Sequence, residues 1–168
     1  MQLTELFLAE LDREADRSKR ALERVPDGHY DWKPHEKSMT FGYLAELVAT
    51  MPSWVTMTIR QDELDLNPPS GSPPQRHNLR SSRELVEGLN KAAADARDAL
   101  RSTNDDFLTT PWRLLVSGKV VIEQPRHIMI RETLNHLAHH RGQMTVYLRL
   151  LGAPVPALYG PSADERQF

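Results

Sequence analysis

The stretch from Pro125 to Gly152 restricts the fold most. Pro125 or Arg126 opens a helical pattern, because proline at the first helical position gives up only an N–H that would be unpaired anyway. Gly152 stands where a left-handed C-cap belongs, and Pro154 follows it. At about 1.5 Å per residue, a helix between these signals spans a whole domain. Ile130, Leu134, Leu137, Leu148 and Leu151 form an apolar stripe along it. Met129, Thr133, His136, His140, Gln143, Met144 and Tyr147 form a second, half-polar stripe. A helix apolar on so much of its surface must lie among other helices.

Three more helical patterns precede it. Leu3, Leu6, Phe7, Leu11, Ala15, Ser18, Leu22 and Val25 recur at threes and fours, until Pro26-Asp27-Gly28 ends the run. A second helix starts near Ser38 or Thr40, carries Phe41, Leu44, Leu47, Val48, Met51 and Val55, and ends near Glu63. Pro52 lies inside it and should kink it or split it. A third begins with the capping-box spacing of Ser81 and Glu84 and ends around Arg101 to Asn104.

Between the second and third helices, residues 67–80 form a long proline-rich loop, either a plain connector or a cover for a site entrance. Residues 107–125 break the helical rhythm. There WRLLV and KVVIE flank Ser117-Gly118, a hairpin signal. With no βαβ alternation, these elements predict an all-α, four-helix-bundle class with a small β-hairpin or irregular insertion before the last helix. Residues 1–168 make one domain.

Composition narrows the function classes. The net charge of −2, with mixed signs throughout, gives no basic field for nucleic acid or a membrane surface. The absence of cysteine removes disulfides, thiolate metal sites and cysteine nucleophiles. No apolar run approaches a membrane span, and the first residues lack a signal-peptide layout, so a cytoplasmic location is expected.

Three of the seven histidines fall in 135-NHLAHHRGQM-144. His136 and His140, four apart, share a helix face, and His139 is turned roughly 100° from His140. Two imidazoles facing a bundle interior can ligate one divalent ion. Equally, they can be hydrogen-bonded structural groups. The zinc-protease motif HExxH is not met, since LAH separates His136 from His140. Trp32, Trp54 and Trp112 read as core or dimer-surface residues. His29, His77 and His127 have no partner at metal spacing.

The run H-x3-H-R-G-Q, continuing MTVYLRLLGAPVPALYGPSADE, resembles the closing signature of the DinB family within the DinB/YfiT-like superfamily. ERVPDGHYDWKPHEKSMTFGYLAELVA and DELDLNPP resemble that family's passage into and out of its second helix. The resemblance covers most of the chain and implies a four-helix bundle, usually homodimeric. It also implies a divalent metal (zinc, nickel or manganese) held by three histidines, and chemistry on low-molecular-weight thiols.

Two of the implied ligands map to His136 and His140; the third falls on Leu47, which cannot bind a metal. Candidates to stand in for it are His35 on the preceding connector, Glu46 and Met51. Leu47, Gln143 and Tyr147 would line the pocket, with Tyr147 or Gln143 placed to orient a substrate. Two functions follow. One is a metal-dependent enzyme with an incomplete triad, of the thiol-dependent transferase type or else a hydrolase. The other is a non-catalytic scaffold that binds a small molecule or partner without metal.

Overall fold

The computed structural model describes residues 2–68 and 78–166. Helix α1 spans Leu3–Leu22, α2 Phe41–Thr50 and α3 Ser53–Arg60. Strand β1 covers Glu63–Asp65, then come α4, Ser82–Arg101, and a short α5, Asp105–Leu108. Strands β2, Pro111–Val116, and β3, Lys119–Pro125, lead into α6, Arg126–Leu150. The molecule is mostly helical, and its small sheet is larger than the expected hairpin.

The helix boundaries follow their caps. The Thr40 side chain, not Ser38, accepts the Tyr43 N–H that opens α2. Ser81 accepts the Glu84 N–H, while the Glu84 carboxylate takes the Arg80 N–H at 2.8 Å. At the end of α6, Gly152 adopts φ 72°. The Ala153 N–H then reaches the Leu148 carbonyl at 2.9 Å, and the Gly152 N–H reaches that of Arg149 at 3.1 Å. This is the paired closure that a left-handed residue after the last turn permits.

The second helical pattern is split. Pro52 has no N–H to continue the ladder, and the chain turns through Met51 and Pro52 before α3 begins. The expectation of helix as far as Glu63 is corrected, because Glu63–Asp65 pairs in parallel with Arg113–Leu115 as an edge strand. The hairpin stands as expected. β2 and β3 pair antiparallel, with Trp112 opposite Gln124 and an irregularity between Leu114 and Leu115. Its turn needs positive φ at Ser117 and Gly118. The Asp65 carboxylate accepts both turn N–H groups, at 3.0 and 2.7 Å. Most of the expected loop at 67–80 falls on residues 69–77, outside the described residues.

α1 packs on α4 and α6, and the α2–α3 pair packs on the same two helices. The core divides near the α2–α3 break. One cluster joins Phe41, Leu44 and Val48 of α2 to Leu85 and Leu89 of α4 and Leu137, Met144 and Leu148 of α6. The other joins Phe7 and Leu11 of α1 to Val55 and Ile59 of α3 and Ile130 and Leu134 of α6. His136 lies on α6 between Leu134 of one cluster and Leu137 of the other, and His140 lies one turn further along.

Two buried arginines brace α6. Arg141 is fully buried and donates to the Glu14 carbonyl and the Ser18 hydroxyl of α1, both at 3.1 Å. It also bonds the Glu14 carboxylate and the Tyr159 hydroxyl. Arg126 is buried at the other end and donates to the carbonyls of Thr58 and Gln61 and to Asp62. The Arg-Gly-Gln run after the histidines therefore begins with a structural anchor that ties α6 to α1 and the tail.

Candidate histidine site and adjoining cavity

The i, i+4 spacing on α6 brings the rings of His136 and His140 to 4.5 Å, and His139 lies 5.2 Å from His140. His140 is buried, whereas His136 and His139 reach solvent. Gln143 connects them. Its Oε1 lies 2.9 Å from His140 Nδ1 and its Nε2 lies 3.0 Å from His139 Nε2. With the amide in this sense, His140 carries its proton on Nδ1 and leaves Nε2 bare, and His139 accepts on Nε2.

The outer edge of His136 is open, but Trp54 of α3 packs against it with ring centroids 5.6 Å apart. Desolvation of the ring, then the neighbouring His140 and His139, pull its pKa below the usual 6.5. A neutral imidazole with an available nitrogen is therefore the resting form near neutral pH.

The residues considered for a third ligand go elsewhere. Leu47 is half-buried and packs against the α2–α6 core. Met51 is fully buried in that core. Glu46 lines a groove with Asp31 and Arg80. His35 is exposed, and its Nδ1 accepts the Lys37 N–H at 3.1 Å. Tyr147 is also core: it meets Trp32 edge-on at 5.6 Å, and its hydroxyl donates to the Met39 carbonyl at 3.3 Å. Among the described residues, no three His, Asp or Glu side chains are grouped to hold a metal ion. The donor set fits an ion held by two imidazoles with the remaining positions open, and it does not fit a closed three-histidine centre.

A cavity of about 360 Å³ adjoins the pair, between α3, the sheet and α6. Trp54, Met57, Trp112, Leu114 and Met129 supply much of its wall. Leu66, Glu132 and His136 also line it and are solvent-exposed, which places them at its mouth. Trp112 is 2% exposed, and its indole N–H has no partner among the described residues. Sequence patterning assigned Trp54 and Trp112 to a core or dimer surface. Their part in this wall depends on β1 and β2 folding beside α3, which no local pattern announces.

A mostly helical chain with a helix-borne imidazole pair beside an apolar cavity is the class these features define. The DinB family model matches residues 1–167, and the chain belongs to the DinB family. It is similar to the uncharacterized protein YrdA of Bacillus subtilis (strain 168), 24% identical over 98% of this chain and 92% of that one. Among solved structures, a DinB-like protein from Bacillus cereus ATCC 10987 matches with a TM-score of 0.71 and 24% identity, over 92% of this chain and 97% of that one. The DinB-like protein YjoA of Bacillus subtilis matches with a TM-score of 0.67 and 14% identity, over 96% and 99% of the two chains. A member of the DinB family from Exiguobacterium sibiricum 255-15 matches with a TM-score of 0.59 and 15% identity, over 90% and 93%. At these identities the likeness is one of fold. No helix among the described residues is long and apolar enough to cross a membrane.

Proposed function

We propose that this chain is a four-helix-bundle, metal-dependent enzyme of the thiol-dependent transferase type, working with an exchangeable divalent ion at His136 and His140. One observation carries the reading: Gln143 holds His140 Nδ1 at 2.9 Å while the His136 ring stands 4.5 Å away. A ligating histidine is ordinarily oriented in this way, through its second nitrogen. A bound zinc, nickel or manganese ion supplies positive charge that lowers the pKa of a thiol toward neutrality.

The chain's own groups do the rest. The His136 and His140 rings stand 4.5 Å apart on one face of α6. Gln143 fixes the tautomer. Trp54 shields one side of the His136 ring from water. With Leu47 offering no donor, the open positions are left to solvent and to the thiol. The same reading places the protein in the cytoplasm as a homodimer, with no nucleic-acid partner. Exposed Val146 and Leu150, one turn apart on α6, suit a dimer contact.

The test is conjugation of a low-molecular-weight thiol to an electrophile, with and without added zinc, nickel or manganese. The wild type should turn over only with metal, and His140→Ala should abolish turnover. Metal-independent conjugation that survives His140→Ala would remove the pair from the reaction.

A second reading is favoured by Leu47, which packs as an ordinary half-buried residue. On that reading the chain is a metal-free, non-catalytic scaffold, and His136 and His140 serve as hydrogen-bonding groups beside a binding cavity.

A further inference from the structure

We infer that the cavity between α3, the sheet and α6 binds a neutral, ring-bearing apolar molecule, the acceptor substrate of the proposed transferase reaction. The assignment of that role rests on the reading above; the cavity itself does not.

Size comes first. A dry cavity of roughly 150 Å³ takes one benzene, so the 360 Å³ here accommodates a two-ring body. The wall then selects shape. Trp54 of α3, half-buried, and Trp112 of β2, almost wholly buried, both line the cavity. Aromatic rings gain from edge and face contacts with indole rings beyond the area they bury. Met57 and Met129 add thioethers that adjust to a ring and contact its edge favourably. Leu114 supplies aliphatic surface.

The polar groups are few and set apart. Thr133 is buried, and its hydroxyl is already committed to the Met129 carbonyl at 2.9 Å. Thr58 is buried as well, and the buried Trp112 indole N–H has no partner among the described residues, a donor that a neutral ligand can use; the exposed polar side chains are Glu132 and His136 at the mouth. The Glu132 carboxylate disfavours an anionic ligand there. His136 at the same mouth places the open end of a bound molecule next to the histidine pair. An apolar body inside and the reacting end at His136 is the orientation this wall permits.

The probe is 2-naphthol, neutral and two-ringed, titrated by calorimetry into the EDTA-treated full chain. Its partner, 2-naphthoate, has the same body with a negative charge. The naphthol should bind saturably and stoichiometrically, and the naphthoate should bind at least about tenfold more weakly. Glu132→Gln should narrow that gap. Leu114→Trp should abolish binding by filling the cavity. Leu66→Asp, at a solvent-exposed wall position that does not threaten the fold, should weaken naphthol binding by about tenfold.

Absence of saturable naphthol binding overturns the inference, and so does equal affinity for the two probes. Binding untouched by both Leu66→Asp and Leu114→Trp overturns it as well. Zinc titrated without a probe separates the two readings. Naphthol binding without zinc uptake removes the metal-dependent reaction and upholds the cavity, whereas zinc uptake without naphthol binding overturns the cavity alone.

Discussion

Arg141 of α6 and Glu14 of α1 form an ion pair in which the guanidinium is 1% exposed and the carboxylate 13%. The Glu14 carboxylate also accepts the Tyr159 hydroxyl at 2.9 Å and an Arg17 donor at 2.5 Å. Three segments, α1, α6 and the tail, therefore meet at one carboxylate. Glu14→Ala leaves Arg141 buried without its counter-charge, a change that costs about 3–5 kcal/mol. Urea denaturation of the variant should show a loss of that size, against a small one for the exposed pair of Arg83 and Glu87.

The same carboxylate sets an acid limit. Burial pushes the Glu14 pKa up, but the bonds from Arg141, Tyr159 and Arg17 outweigh it and hold the group below the usual 4.5. The folded chain then binds fewer protons than the unfolded chain over this interval. The contribution of Glu14 to stability is present above the ordinary glutamate pKa and is lost as pH falls through the lowered, folded value. Stability measured against pH should fall across that window in the wild type, and Glu14→Gln should flatten the fall.

Gly42 marks a close approach. A Cβ there would stand 2.9 Å from the Tyr30 carbonyl oxygen and 3.1 Å from the Tyr30 Cβ. The Gly42 N–H already donates to that carbonyl at 2.8 Å, so the backbone cannot readily retreat. Gly42→Ala should destabilise by about 1–3 kcal/mol, as overpacking does. An unchanged denaturation midpoint would show that the connector gives way freely.

Gln143 should act through His140. Gln143→Leu removes the bond that fixes the tautomer, which ordinarily costs about 10–100-fold in metal affinity. Zinc calorimetry measures the loss, and nitrogen chemical shifts of His140 should show both tautomers in the variant. Unaltered shifts and affinity would make Gln143 a bystander.

Leu47→His offers a third imidazole where the family resemblance places one. Zinc affinity should rise by at least about tenfold. No gain, in a variant that keeps its fold, would mean that α2 does not face the pair closely enough.

Much of this was legible in the sequence because local chemistry fixes it. The caps at Thr40, Ser81 and Gly152, the break at Pro52 and the Gly118 position of the hairpin turn each follow from a residue's own backbone or side-chain preference. The i, i+4 pair of His136 and His140 follows from helix geometry alone. β1 was not legible: Glu63–Asp65 is a strand only because β2 lies beside it. The short α5 depends on the Asn104 side chain capping the Phe107 N–H, a signal too brief to separate from a loop. The apolar cavity needs α3, three strands and α6 to converge, a long-range outcome that no window of residues contains. Glu46 and His35 lay near Leu47 in sequence, yet the fold turns each toward other partners.

The most direct measurement is a zinc titration by calorimetry on untagged, EDTA-treated protein, paired with His140→Ala. Saturable zinc binding in the wild type, lost in the variant, is the predicted result. Failure of the wild type to take up zinc, or equal uptake by both proteins, would contradict a metal-dependent role for His136 and His140.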